Sequence, residues 1–233
     1  MFASHGYPRA VLFDFFGTLT QAAPRGAGHA EVARLLGCSP EELTAVLDTS
    51  FYRRSRGDYG DALTTLRWVA AELGRRPDDT TLRAAYQARI AALRADIRLR
   101  RDAYAVLARL RADGVRMAVV SDCTHELTEI LPTLPIAPLL DAAIFSVHIG
   151  AVKPDPTIYL AACAALRVEP RHCLYVGDGG SRELTGASAL GMYAIRLAAP
   201  DLGDHLVFRP DEEFCGPSAR SLTEIFTRDL VPA

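Results

Sequence analysis

The segment AVLFDFFGTLT, residues 10–20, decides the fold of this chain. Its first four residues are an unbroken apolar run, which is typical of a strand buried on both faces of a parallel sheet. The carboxylate of Asp14 ends that run, and a turn containing glycine follows it. Open parallel α/β sheets bind their ligands at the carboxyl ends of the strands. The segment therefore predicts an α/β core with Asp14 at its ligand-binding edge.

Toward the carboxyl terminus, strand and helix patterns alternate. Predicted strands cover 115–122, 142–147, 172–178 and 193–197, and predicted helices cover 102–113, a segment from about 125, 156–166 and 182–190. Such alternation implies βαβ units and a doubly wound parallel sheet. We expect the first strand and these four to form one sheet, followed by an irregular segment at 198–220 and a closing helix at 221–230.

Between these two parts, residues 21–98 show helix patterns and no strand-like run. The clearest helix start is Ser39-Pro40-Glu41-Glu42, which combines an N-cap hydroxyl, a proline at the first helical position and a capping-box glutamate. Further helices are predicted at 63–74 and 78–97, with a loop at 55–62 between the first two helices. The chain thus divides into a core, 1–20 and 99–233, and an all-helical insertion, 21–98.

Composition narrows the class of function. A chain of 233 residues, 49% hydrophobic and 23% charged, can hold one α/β core and a smaller inserted module. A net charge of -2 argues against nucleic acid or an anionic membrane as partner and favours a small-molecule substrate. The N-terminus lacks an apolar signal core, so we expect a cytoplasmic protein, monomeric or homodimeric. The five scattered cysteines match neither a zinc nor a redox motif.

Four polar motifs lie at or just after the ends of predicted strands. They are FDFFGTLT (13–20) with Asp14, VVSD (119–122) with Ser121, VKPDP (152–156) with Lys153, and YVGDGGSRE (175–183) with Asp178 and Glu183. In this order, the four motifs resemble those of the haloacid dehalogenase-like hydrolase superfamily. The resemblance covers the whole chain, since the helical insertion is similar to that family's cap domain.

This resemblance implies a role for each motif. Asp14 would be the nucleophile and would form a covalent intermediate that water resolves. Phe16, Gly17 and Thr18, in the turn after Asp14, would bind the substrate. Ser121 would direct its hydroxyl at an anionic oxygen of the substrate. Lys153 is the only lysine among 26 Lys and Arg residues, which favours a role for a compact ammonium rather than a forked guanidinium.

The resemblance also implies a metal site. Asp14, Asp178 and Glu183 would gather around Mg²⁺, with the backbone carbonyl of Phe16 as a further ligand. The GDGG sequence alone is also compatible with a nucleotide-binding glycine loop, although no G-x-G-x-x-G follows the first strand.

Phe16 departs from the family pattern, because phosphatases of the family usually carry an aspartate two positions after the nucleophile as acid and base. Non-acidic residues occur there in two branches: 2-haloacid dehalogenases, whose halide leaves without a proton, and phosphonatases, which use a cap lysine. Residues 21–98 contain no lysine, which excludes the second. The dehalogenase branch fits Phe16, but it carries neutral residues where this chain has Asp122 and Asp178. The acidic fourth motif with Asp178 favours a magnesium site.

The missing acid needs a substitute. Asp122 is our candidate proton donor and His125 an alternative, and a substrate with a good leaving group, such as an acyl phosphate, would need neither. Arg56 and its neighbours Arg53, Arg54, Tyr52, Tyr59 and Trp68 are candidates for substrate contacts from the cap.

The sequence therefore predicts a Mg²⁺-dependent phosphatase of a small phosphorylated molecule, acting through an aspartyl-phosphate on Asp14. Two alternatives stay open. One is a 2-haloacid dehalogenase that uses the same nucleophile. The other is a catalytically impaired relative that binds a phosphorylated ligand or a partner protein.

Overall fold

Six parallel strands form the central sheet of the computed structural model, which describes residues 8–22, 25–204 and 208–226. The strands are β1 (Ala10–Phe13), β2 (Arg116–Ser121), β3 (Ala142–Phe145), β4 (Cys173–Gly177), β5 (Tyr193–Leu197) and β6 (Ser218–Ala219). Their order in the sheet is β3-β2-β1-β4-β5-β6. This confirms the predicted doubly wound parallel sheet.

The strand order reverses at β1. Leu12 of β1 pairs with Ala118 of β2 on one side and with Tyr175 of β4 on the other. Strands β2 and β3 lie on one side of β1, and β4, β5 and β6 lie on the other. In such sheets, a crevice opens at the carboxyl ends of the strands where the order reverses. Asp14 follows β1 directly, so its backbone position is at this crevice.

Helices cover both faces of the sheet and provide the two layers of the core. They are α6 (Ala103–Ala112), α7 (His125–Ile130), α8 (Ser146–Ile149), α9 (Pro156–Leu166) and α10 (Glu183–Ala189). Because side chains alternate along a strand, Phe13 packs in the cluster that contains α6 and α7, whereas Leu12 packs with α9 and α10.

The inserted segment has a hydrophobic core of its own. Its helices are α1 (His29–Leu36), α2 (Pro40–Thr49), α3 (Phe51–Ser55), α4 (Ala62–Glu72) and α5 (Asp79–Asp96). Side chains of α1, α2, α4 and α5 form the core, including Val32, Leu43, Leu66 and Leu82. The predicted capping box is present, since Ser39 Oγ accepts from the Glu42 amide and Glu42 accepts from the Ser39 amide. The chain leaves the core near Thr20 and returns to it near Leu99, and these two residues form an isolated antiparallel bridge.

Several elements differ from the sequence prediction. The segment 198–220 contains β6, whose two residues are too few to produce a periodic signal. The predicted strand 142–147 ends at Phe145, because Ser146 begins α8. Of the closing helix predicted at 221–230, the described part holds only a 3-10 turn, Glu224–Phe226, and the rest lies outside the described residues.

No helix in the described part of the chain combines the length and the hydrophobicity needed to span a lipid bilayer.

Candidate active site

A cavity of about 220 Å³ lies where the helical insertion meets the carboxyl edge of the sheet. Asp14, Asp122 and Asp178 follow the neighbouring strands β1, β2 and β4 and line it. Residues of the insertion also line the cavity, among them Arg25, His29, Phe51, Arg54 and Arg89. Ligand pockets commonly measure ~300–1,000 Å³. This cavity is smaller than that range and therefore suits only a small molecule.

Lys153 is the cation at the centre of the site and lies in the loop between α8 and α9. Its Nζ is 2.6 Å from Asp14 Oδ1 and 2.5 Å from Glu183 Oε2, and its side chain is only 3% exposed. Burial alone would lower the pKa of Lys153, but attraction by Asp14 and Glu183 outweighs it and raises that pKa well above its ordinary value. The ammonium therefore stays charged and fixes the Asp14 carboxylate in place.

Glu183 is fully buried, and both of its carboxylate oxygens have protein donors. Oε2 accepts from Lys153 and from the Tyr175 hydroxyl at 2.8 Å, and Oε1 accepts from the Gly179 amide at 3.0 Å. Burial, and then the adjacent Glu183 carboxylate, raise the pKa of Tyr175, so its hydroxyl stays protonated as a donor. The Tyr159 hydroxyl donates to the Glu183 carbonyl at 2.9 Å. Glu183 is thus held rigidly against Lys153.

Gly177, the last residue of β4, makes room for this arrangement, because a Cβ at that position would lie 2.0 Å from Glu183 Oε1. We expect Gly177→Ala to displace the Glu183 carboxylate from Lys153 and to cost about 3–5 kcal/mol, as when a buried ion pair is broken. Urea unfolding measures this loss. Gly203→Ala is the matched control, since a Cβ there meets nothing within 4 Å. Equal unfolding midpoints for the two variants would contradict this role for Gly177.

The turn after Asp14 is held by a residue that follows the insertion. Arg100 donates from Nη2 to the Gly17 carbonyl at 2.7 Å and from Nε to the Thr18 carbonyl at 2.9 Å. Gly17 has a φ of 77°, a left-handed conformation that glycine adopts without steric cost. Arg100 also pairs with Asp201 at 2.7 Å. Arg100 therefore links the segment that returns from the insertion to the core with the turn after Asp14.

The two polar residues at the end of β2 have different surroundings. Asp122 lines the cavity, and its Oδ1 accepts from the Lys153 amide at 3.0 Å. Burial raises the pKa of Asp122, although the positive charge of Lys153 partly opposes this. Ser121 is completely buried and is not among the residues that line the cavity. The structure therefore brings Asp122 into the cavity lining, whereas the Ser121 hydroxyl is buried and has no hydrogen-bond partner in the described part of the chain.

The insertion closes over the core at several points. The hydroxyls of Tyr52 and Ser181 are 3.0 Å apart, and the rings of Phe51 and Phe208 stack at 4.4 Å. Of the predicted cap contacts, Arg54 lines the cavity, whereas Arg56 does not and instead pairs with Asp58 at 3.3 Å. The difference follows from helix geometry, since Arg54 lies in α3 and Arg56 is its C-terminal cap.

His125, the alternative proton donor, also lies outside this cavity. Its Nε2 is 3.0 Å from the Gly60 carbonyl, in the loop before α4. Phe16, in contrast, lines the cavity beside Asp14.

The carboxylates of Asp14, Asp178 and Glu183 each have an oxygen within 4.8 Å of the others, an arrangement that could hold a metal ion. Hard oxygen ligands of this type suit Mg²⁺. Asp14 and Asp178 fit this role, and the Phe16 carbonyl lies in the adjoining turn. Glu183 fits it less well, because Lys153, Tyr175 and Gly179 already bind its two oxygens. Asp14 and Asp178 would therefore be the carboxylate ligands of a metal ion, and Glu183 would hold Lys153 beside Asp14.

Sequence reasoning missed several residues of the site. Tyr159, Tyr175 and Arg100 were not predicted, because a buried tyrosine and an isolated arginine give no motif. Arg89 was missed because it lies on the long helix α5, where an arginine usually faces solvent.

The family of the chain follows from comparison with known proteins. Residues 8–191 match the sequence profile of the haloacid dehalogenase-like hydrolases. The chain therefore belongs to the haloacid dehalogenase-like hydrolase family, as its four motifs indicated, and its inserted helices stand where that family carries a cap.

Curated relatives include both reaction types. The chain is 27% identical to (S)-2-haloacid dehalogenase 1 of Pseudomonas sp. (strain CBS-3) over 225 residues, 93% of each chain. It is 33% identical to the glyceraldehyde 3-phosphate phosphatase of Methanopyrus kandleri over 97 residues, 41% of this chain and 42% of that protein. For this phosphatase and two further curated relatives, the match spans only about two fifths of the relative's length.

Solved structures with a similar fold include a dehalogenase and an enzyme with bound magnesium and inorganic phosphate. The fold resembles the 2-haloacid dehalogenase of Pseudomonas syringae pv. tomato DC3000, with a TM-score of 0.67, 21% identity and coverage of 93% and 95%. It also resembles a HAD family enzyme of Bacteroides thetaiotaomicron in complex with magnesium and inorganic phosphate, with a TM-score of 0.61, 16% identity and coverage of 82% and 94%. At these identities the likeness establishes the fold.

Proposed function

We propose that this hydrolase is a Mg²⁺-dependent phosphatase of a small phosphorylated molecule. The observation that carries the proposal is the cluster of carboxylates at the carboxyl edge of the sheet, where Asp14, Asp122, Asp178 and Glu183 line the cavity together with one ammonium, Lys153. At this end of the cavity, the carboxylates repel an anionic group of a substrate unless a cation is added. A divalent cation held by Asp14 and Asp178 would supply the charge that attracts and orients a phosphate group.

The residues of the chain suit each step of the reaction. The Asp14 carboxylate, held by Lys153, attacks phosphorus and forms an acyl phosphate while the alcohol leaves. Asp122 gives the leaving oxygen a proton. Water then attacks phosphorus, Asp122 takes back a proton, and phosphate leaves with the Asp14 carboxylate restored. The closed insertion excludes bulk water during these steps.

A 2-haloacid dehalogenase is the second candidate, because Phe16 lines the cavity beside Asp14 and provides no acid. The relative matched over 93% of its length is also a dehalogenase. Halide leaves without a proton, so that reaction needs no acid at this position.

The deciding experiment is hydrolysis of 4-nitrophenyl phosphate with and without Mg²⁺, beside chloride release from 2-chloropropionate, using Asp14→Asn as the blank. We expect nitrophenol release that requires Mg²⁺ and is lost in the blank. Chloride release without nitrophenol release would establish the dehalogenase instead. No turnover of either substrate would favour a binding protein.

The two acids of the fourth motif are expected to respond differently to Mg²⁺. Asp178→Asn removes a proposed ligand, so the Mg²⁺ concentration for half-maximal activity should rise by about tenfold or more. Glu183→Gln leaves the proposed ligands in place and weakens the hold on Lys153, so kcat should fall with little change in that concentration. Magnesium titrations of both variants measure the difference. An equal rise in both would identify Glu183 as a ligand.

Asp122 is expected to impose an upper pH limit on the hydrolysis of alkyl phosphates. An acid must carry its proton, so activity persists below the raised pKa of Asp122 and falls as pH rises through it. Asp122→Asn should lose this descending limb and about 10²–10⁴-fold in rate on alkyl phosphates. Aryl phosphates provide the control, since their leaving group scarcely needs a proton. An unchanged rate and pH profile on alkyl phosphates would exclude Asp122 as the donor.

A further inference from the structure

Three arginines of the insertion, Arg25, Arg54 and Arg89, line the cavity that Asp14 also lines, and together they form an arginine cluster. Arg54 belongs to α3 and is 5% exposed, and Arg89 belongs to α5 and is 11% exposed. Buried guanidinium groups normally have carboxylate partners, because an unpaired buried charge is costly.

Arg25 pairs with Asp48, and Arg89 Nε donates to Glu126 at 2.5 Å. The described bonds of Arg54 go to neutral oxygens instead: Nε donates to Ser50 Oγ at 3.0 Å and Nη2 to the Leu47 carbonyl at 2.7 Å. Two of the three guanidinium groups thus have a carboxylate partner, whereas the described hydrogen bonds of Arg54 include none. Burial, and then repulsion by Arg89, lower the pKa of Arg54 to about 10.

A second observation points to a ligand. Arg89 Nη1 is buried and has no hydrogen-bond partner in the described part of the chain. Buried polar groups in native proteins almost always have a partner, so such an atom calls for a ligand or an ordered water. A bound anion would accept from this donor and supply the carboxylate or phosphate partner that the described hydrogen bonds of Arg54 do not include.

His29 of α1 also lines the cavity. Its Nε2 is 2.8 Å from Asp96 Oδ2, and its Nδ1 is buried without a hydrogen-bond partner in the described part of the chain.

From these observations we infer that Arg54 and Arg89 form a binding site for a second anionic group of the substrate, a carboxylate or a phosphate, in the same cavity as the reacting phosphate. The inference rests on the proposed function for the identity of the first group. It specifies the substrate as a small molecule with anionic groups at two ends, one facing Asp14 and Lys153 and the other facing the cap. The insertion would then select substrates by charge.

Arg89 also joins the insertion to the core, since Glu126 belongs to α7. A residue that only joined these two parts would affect every ligand equally. A subsite residue affects only ligands that carry the second anion. This difference decides how the inference is tested.

The test is calorimetric binding of two non-hydrolysable probes to the full chain with Mg²⁺. Phosphonoacetate carries a carboxylate where ethylphosphonate carries a methyl group, and methylenebisphosphonate carries a second phosphonate there. A charged hydrogen bond contributes ~1.5–3 kcal/mol, so one or both doubly anionic probes should bind about tenfold or more tightly than ethylphosphonate. The probe that binds more tightly identifies the second group.

Arg89→Met and Arg54→Met should each reduce this preference, with affinity for ethylphosphonate nearly unchanged. Arg83→Met is the matched control, because Arg83 is an exposed arginine of the same helix, α5, outside the cavity lining. Circular dichroism checks that the variants fold, and Arg89→Lys should retain part of the preference if Arg89→Met does not fold.

Equal affinity of the wild type for all three probes would overturn the inference, even if the enzyme hydrolyses phosphate esters. A preference that survives both methionine variants would also overturn it. If no phosphate ester is hydrolysed but the arginine-dependent preference is present, the proposed function fails and the subsite stands.

Discussion

Asp14→Asn should abolish turnover, with a loss of roughly 10⁴-fold or more, because no other carboxylate replaces the nucleophile. Lys153 Nζ binds Asp14 Oδ1 at 2.6 Å, and an amide oxygen can accept the same hydrogen bond. Lys153 also keeps Glu183 as its anionic partner. The variant should therefore fold, and the loss should lie in kcat. Steady-state kinetics and urea unfolding of the variant measure both.

Solvent oxygen distinguishes the two reactions of the same nucleophile. In a single turnover in H₂¹⁸O, water that attacks phosphorus of an aspartyl-phosphate leaves its oxygen in the released phosphate. Water that hydrolyses an ester formed with a haloacid attacks the Asp14 carboxyl carbon and leaves ¹⁸O in the protein. Mass spectrometry of the peptide containing Asp14 should show no label in the phosphatase reaction.

Residual turnover of Asp14→Asn near the wild-type rate would contradict a nucleophilic Asp14 altogether.

Most of the fold could be predicted because its main signals are local. The buried strand at 10–13, the helix at 156–166 and the capping box at Ser39 depend on hydrophobic period and side-chain type. The exceptions have non-local causes. Strand β6 has two residues and exists only because it pairs with β5, and α3 has five residues between longer helices. Tertiary contacts, which one sequence does not reveal, stabilise such short elements.

The site was less predictable than the fold, because motif spacing locates a residue on the chain but does not state what its side chain contacts. Asp14 and Asp122 were placed at the sheet edge by the strands that precede them, and Lys153 by the motif in the loop before α9. The surroundings of Glu183 depend on Tyr175 and on the space above Gly177, which lie on β4. Arg89 reaches the cavity from a helix that only the packing of the insertion brings there. The sequence of α5 alone does not indicate that Arg89 faces the cavity.

Lys153→Met is expected to remove both stability and turnover. The ammonium lies within 2.6 Å of two buried carboxylates, Asp14 and Glu183, and methionine leaves them facing one another without a cation. Removing one partner of a buried ion pair costs about 3–5 kcal/mol, so the urea midpoint should fall clearly. Lys153→Arg keeps the charge and should recover part of this stability. Turnover should stay low in both variants, because a guanidinium differs from an ammonium in size and donor geometry.

Because Lys153 is the only lysine of the sequence, its charge state can be followed without assigning other signals. Lysine labelled with ¹³C and ¹⁵N should give one side-chain NMR signal, apart from any added tag. The carboxylates raise the pKa of Lys153, so that signal should stay that of a charged ammonium above the usual lysine range. Glu183→Gln removes one of the two anionic partners and should lower the titration midpoint. A lysine that titrates at its ordinary pH in both proteins, together with an unchanged urea midpoint for Lys153→Met, would show that the ammonium is not held between Asp14 and Glu183 in solution.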